Sequence, residues 1–171
     1  MPCRLIPCSL RTQNRRGGGG KFWLDIKNLD NTNCDNVLNE IERLRSKYGF
    51  SKNRFILESR QWRLLDKFTR KGYYTSYYVS FDKPSKLDKT EIKACINHLQ
   101  KVADSHATRA LSFPGWWYST IRKHLNRPID LLTWKHRTTQ FELFLTPSGQ
   151  RMVNDPQLKV ILIKDKGKFH R

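Results

Sequence analysis

From Lys21 onward the chain repeats one pattern: a short run of apolar, aromatic and β-branched residues, then a segment with apolar residues at helical spacing. "FWLDIKNL" precedes Val37, Ile41, Leu44 and Tyr48, a helix closed by Gly49. "RFILES" (54–59) precedes "RQWRLLDKFTRK", for which Ser59 is the expected N-cap and Gly72 the terminator. "YYTSYYVSF" (73–81) leads to Asp88 and Glu91, a capping-box pattern ahead of Ile92, Cys95, Ile96, Leu99 and Val102. "TRALSF" (108–113) is followed by a short helix in "PGWWYSTIRKHL", with Pro114 near its start. "IDLLTWKH" (129–136) and "QLKVILIKD" (157–165) read as strands, with a helical turn or two in "TTQFELFL" between them. The order is β-α-β-α-β-α-β-α-β-α-β, an α/β class. Strict alternation with short loops implies parallel strands joined by right-handed crossovers. A doubly wound sheet and an incomplete (β/α)8 barrel segment of about six strands both satisfy it.

Polar residues near the strand ends separate these two in part. Side chains alternate along a strand, so Trp23, Asp25 and Lys27 share one face and Phe22, Leu24 and Ile26 the other. Asp25 and Lys27 fall near the carboxyl end of the first strand. So do Glu58 on the second, Ser80 on the third, His136 on the fifth, and Lys164 or Asp165 on the last. In a barrel that end builds the site. In a sheet covered on both faces each charge needs its own explanation. Asp25 and Lys27 also suit a plain ion pair, Glu58 a contact with solvent or a helix terminus, and His136 a structural or exposed position.

The strand series resembles the later two-thirds of the glycerophosphodiester phosphodiesterase and phosphoinositide phospholipase C superfamily, a TIM-barrel group. "LDIK" (24–27) is similar to the family's hydrophobic-Glu-hydrophobic-Lys motif with Asp for Glu, "FILESRQW" to its Ser-containing fourth strand, and "LLTWKHRT" to its Trp-Thr segment. The resemblance runs from 21 to 165. It implies a phosphoric diester hydrolase-like domain with a divalent cation, Mg²⁺ or Ca²⁺, held by Asp25. Lys27 would face the phosphate, and a cation and an ammonium together would stabilise developing charge. Beside that carry-over, Glu58 is a further candidate metal ligand, His136 a candidate for proton transfer, and Trp134 and Lys164 candidate substrate contacts. The expected ligand is a phosphodiester or another anionic small molecule.

The family's first-strand His-Arg pair and second-strand Glu-x-Asp pair have no counterpart here. The match corresponds to strands three to eight, and a barrel needs about 250 residues against the 171 present. Residues 1–20, with the basic, glycine-rich "RTQNRRGGGG", are expected to be flexible and outside the fold, leaving 21–171 as a partial barrel-like domain. A fragment or frameshifted product is the preferred account. A homo-oligomer that covers open sheet edges, or a compact six-stranded protein, are the alternatives. The chain as written is expected to be inactive or nearly so.

Composition sets the competing function. Hydrophobic residues make up 37%, enough for a core, while the formal net charge is +18. Such a balance favours anionic partners, so the alternative is a non-enzymatic basic protein that binds nucleic acid or an acidic membrane surface. The cations are spread over every element, which weakens the nucleic-acid case. No apolar run approaches a membrane span and "MPCRLIPCSL" makes a poor signal peptide, which favours the cytoplasm. Cys3, Cys8, Cys34 and Cys95 have no metal-ligand spacing and read as thiols.

Two aromatic clusters remain. Trp116 and Trp117 cannot both face one core; either one is exposed at a rim or lipid interface, or one is buried and the other packs under the loop. Tyr73, Tyr74, Tyr77 and Tyr78 suit a strand buried on both faces, or a stacking surface for single-stranded nucleic acid.

Overall fold

A computed structural model describes residues 20–135 and 138–163. The N-terminal segment up to residue 19 lies outside the described residues, as do His136, Lys164 and Asp165. The element order is β1 (Phe22–Asp25), α1 (Cys34–Lys47), β2 (Phe55–Ser59), α2 (Trp62–Arg70), β3 (Tyr74–Tyr78), α3 (Lys89–Ser105), β4 (Ala110–Pro114), α4 (Tyr118–His124), β5 (Asp130–Lys135), α5 (Gln140–Leu145), α6 (Pro147–Val153) and β6 (Leu158–Ile163).

The six strands form one parallel sheet whose spatial order is the chain order, β1-β2-β3-β4-β5-β6. That order decides between the two architectures. A doubly wound sheet reverses direction partway, which puts helices on both faces. Here every crossover steps to the next strand in the same direction, and right-handed crossovers then place every helix on one face. The sheet curls away from its helices into a half-barrel, a TIM-barrel-like segment of the α/β class.

Burial follows that division. On the helix side, Phe55, Leu57 and Tyr73 pack with Leu38 and Ile41 of α1 and Leu65 and Phe68 of α2. A second cluster there joins Tyr77, Leu111, Phe113 and Leu131 to Ile96, Leu99 and Val102 of α3 and Ile121 of α4. Phe22, Leu24 and Ile26 pack against the first cluster, as the alternation of β1 predicts. The concave side holds a smaller apolar group, Ile56, Ala110 and Leu132 flanked by Trp23, Tyr74 and Val160. The four tyrosines divide accordingly. Tyr73 and Tyr77 are buried under helices, and Tyr74 and Tyr78 lie half-buried on the concave side.

Local signals explain most boundaries. The Asp88 carboxylate accepts from the Glu91 N–H and Glu91 returns the contact to the Asp88 N–H, both at 2.8 Å. Gly49 (φ 64°) and Gly72 (φ 88°) take the left-handed conformation just past α1 and α2. Ser59 does not cap α2. It is buried, its hydroxyl donates to the Ile26 carbonyl at 3.0 Å and accepts from the Gln61 N–H at 3.2 Å, and Gln61 is the residue that opens the helix. The stretch after β5 holds two helices rather than one, because Thr146 caps a new one that begins at Pro147.

Candidate functional site

Strand register places the polar residues of the concave face in rows. Asp25 pairs with Glu58, Glu58 with Ser76, and Ser76 with Ala110, one row across four strands. The next row toward the carboxyl ends runs Tyr78, Ser112, Leu132. Trp134 stands beyond it, paired with Pro114 on one side and Leu162 on the other. Two carboxylates and two serines are thereby gathered on one wall.

Glu58 is the unusual member. It is 4% exposed, and its Oε2 has no hydrogen-bond partner. Burial pushes its carboxyl up to about 7, the charge of Asp25 adds to the shift, and contacts with the Ser112 hydroxyl and the Trp23 indole oppose it. The Ser76 hydroxyl beside it is also without a partner. Buried polar atoms are normally satisfied, so two orphans in one row stand out. The remaining buried orphan among the described residues, the Tyr73 hydroxyl, lies on the helix side near Glu42.

Asp25 is more open. Its carboxyl is raised by partial burial and drawn back by the Lys27 and Arg60 charges. Lys27 lies past the end of β1 and is exposed, with its Nζ 3.9 Å from Asp25 Oδ2. Arg60, the residue after β2, sets its guanidinium 5.1 Å from the Tyr78 ring centre, and Tyr78 stacks on Trp134 at 5.1 Å and 18°. A cation, a phenol ring and an indole therefore form a column beside the carboxylate row.

Of the residues singled out in the sequence, Asp25, Lys27, Glu58 and Trp134 meet on this face. His136 and Lys164 lie outside the described residues. Ser80 is exposed beyond β3 and does not join the row; Ser76 and Ser112 take that place. Arg60 was not anticipated, although its position one residue past a strand end was the available signal. None of the described histidines with a placed role serves this face. His98 bonds the Tyr77 hydroxyl on the helix side at 3.0 Å, and His106 and His124 close α3 and α4 at the far end. Trp117 is fully buried and donates to the Asp82 carbonyl at 3.0 Å, whereas Trp116 is 51% exposed.

Among the described residues no three His, Cys, Asp or Glu side chains cluster as a metal-ligand set. Asp25 and Glu58, neighbours in register, are the two carboxylates that this wall could offer a hard cation. Mg²⁺ accepts as few as one or two protein carboxylates, and the orphaned Glu58 Oε2 is an oxygen without another use. No protein-family model, curated protein or solved structure matches the chain.

Proposed function

We propose that the concave mouth of the half-barrel is a phosphodiester-binding site of the diester-hydrolase type, and that this chain binds such ligands with little or no turnover. The observation that carries the reading is Glu58, a buried carboxyl with an unpartnered oxygen, in register with Asp25. Asp25 and Glu58 would hold Mg²⁺ or Ca²⁺, which when bound supplies positive charge to a phosphoryl oxygen. Lys27 and Arg60 flank the carboxylates and favour an anion at the mouth. Trp134, stacked on Tyr78, offers an apolar wall for the organic part of the ligand. Burial holds the free Glu58 carboxyl near neutral, so cation binding there should strengthen as pH rises and the carboxyl ionises. The first-strand His-Arg and second-strand Glu-x-Asp pairs of the resembled family have no counterpart in the sequence, so slow chemistry is the expectation.

Melting temperature at pH 8 with and without Mg²⁺ or Ca²⁺ tests the site, because a ligand that binds only the folded state raises it. The expected result is a rise in the parent that Asp25→Asn and Glu58→Gln each abolish, accompanied by binding of a glycerophosphodiester. A parent indifferent to both cations and to the diester would remove the reading.

A further inference from the structure

Helix α5 carries Phe141, Phe144 and Leu145 at 73%, 59% and 59% exposure. Their spacing, i, i+3 and i+4, puts them on one face. The opposite side is fixed. Leu143 is buried, and Gly149 of α6 sits so close to the Leu143 carbonyl oxygen that there is no room for a Cβ. The first turn is held by a capping box between Thr139 and Glu142. The apolar face therefore points outward from a helix packed on its other side. Trp116 is a further exposed apolar side chain. It follows β4, the parallel neighbour of β5, so it and the segment leading into α5 leave the sheet at the same end, where the Lys135 stem comes within 3.0 Å of where a Cβ on Gly115 would sit.

Two occupants could cover such a face. A second copy would bring +18 against +18, which opposes close approach. An acidic bilayer offers the complementary charge. It also suits the residue types: phenyl and leucyl groups enter the headgroup–acyl boundary, and tryptophan prefers that depth. Lys83, whose Nζ sits 4.9 Å from the Trp116 ring centre, can keep its ammonium among headgroups while its stem lies along the indole. Lys27, Arg60 and Lys135 occupy the same end of the sheet.

We propose that the α5 face of Phe141, Phe144 and Leu145, with Trp116, docks on the surface of an acidic phospholipid bilayer. This surface is independent of the Asp25–Glu58 site.

Co-sedimentation of the full chain with vesicles of phosphatidylcholine, alone or mixed with phosphatidylserine, tests it at about 0.15 M salt, where long-range charge attraction is screened. The parent should bind the mixed vesicles and not the neutral ones. The triple variant Phe141→Ser, Phe144→Ser, Leu145→Ser should bind at least about tenfold more weakly, since it loses three insertable side chains and no charge. These residues are exposed, so an unchanged circular dichroism spectrum is expected, and Trp116→Ala gives a second, milder loss of the same sign. Equal binding by triple variant and parent overturns the proposal in favour of charge alone. A parent that ignores vesicles but sediments as a dimer, which the triple variant dissociates, overturns it in favour of a second copy. Glu58→Gln should bind vesicles as the parent does, so a failed carboxylate site and a failed docking face give different results.

Discussion

Two acidic residues are buried to nearly the same degree at opposite ends of this sheet, and they are served in opposite ways. Asp155, 8% exposed, lies just before β6 at the amino end. Its carboxylate accepts from the Tyr118 hydroxyl at 2.9 Å, the Arg122 Nε at 2.7 Å and the Gln157 N–H at 3.0 Å. Glu58, 4% exposed, lies near the carboxyl end of β2 with one oxygen unpartnered. Three donors around a carboxylate hold a fold together. A carboxyl without them is a standing cost that a ligand could relieve.

Asp155→Ala should break the satisfied end hardest. It leaves the Tyr118 hydroxyl without its acceptor and the Arg122 guanidinium, itself 37% exposed, without its carboxylate, at a cost of about 3 kcal/mol. Urea unfolding measures it, and a loss under about 1 kcal/mol would mean the donors are served equally well by water.

Glu58 predicts the reverse pattern with pH. Its carboxyl stands near 7 in the folded chain against an ordinary 4.5, so the folded state binds the proton more tightly than the unfolded one. The stability this gives is fully present below pH 4.5 and is lost as pH rises to about 7 and beyond, by about 3 kcal/mol. Glu58→Gln should remove that fall, so the difference between parent and variant isolates it. Parallel pH profiles would contradict the burial of an unpaired carboxyl. A bound divalent cation should shift the fall toward lower pH, because it favours the ionised form.

How much of this was legible beforehand follows from which contacts are local. The alternation in "KFWLDIKNLD" put Asp25 on the face opposite Phe22 and Leu24, and "RFILES" put Glu58 near a strand end, because period-two alternation needs no tertiary information. The choice between a wound sheet and a barrel wall was legible only in part, through the polar residues at the strand ends. It depends on the order of strands in space, which is set by which crossovers pack side by side. The same gap hid Ser76 and Ser112. Alternation puts Ser76 and Ser80 of "YYTSYYVSF" on one face, and only the end of β3 at Tyr78 and the pairing with Glu58 show that Ser76, not Ser80, joins the row. Ser59 was misread as a cap for a related reason: a serine before a helical stretch is also a residue that can tie two strands together, and burial decided the matter.

The comparison can be repeated within a single strand. On β3, Tyr74 and Ser76 share the concave face two residues apart. The Tyr74 hydroxyl donates to Asp130 Oδ2 at 2.7 Å, toward the amino end, and the Ser76 hydroxyl has no partner. Tyr74→Phe should cost about 1 kcal/mol, the usual net worth of one such bond, read again from urea unfolding.

Ser76→Ala should do the least to the fold. Removing a buried hydroxyl that bonds nothing recovers part of its desolvation cost, so stability should stay level or rise by up to about 1 kcal/mol. If the hydroxyl meets the phosphodiester or a water on the cation, Ser76→Ala should weaken the cation-dependent rise in melting temperature while leaving the unliganded protein as stable as before. If the variant instead unfolds more readily, Ser76 has an acceptor in solution. The contrast between the two ends would then rest on Glu58 alone.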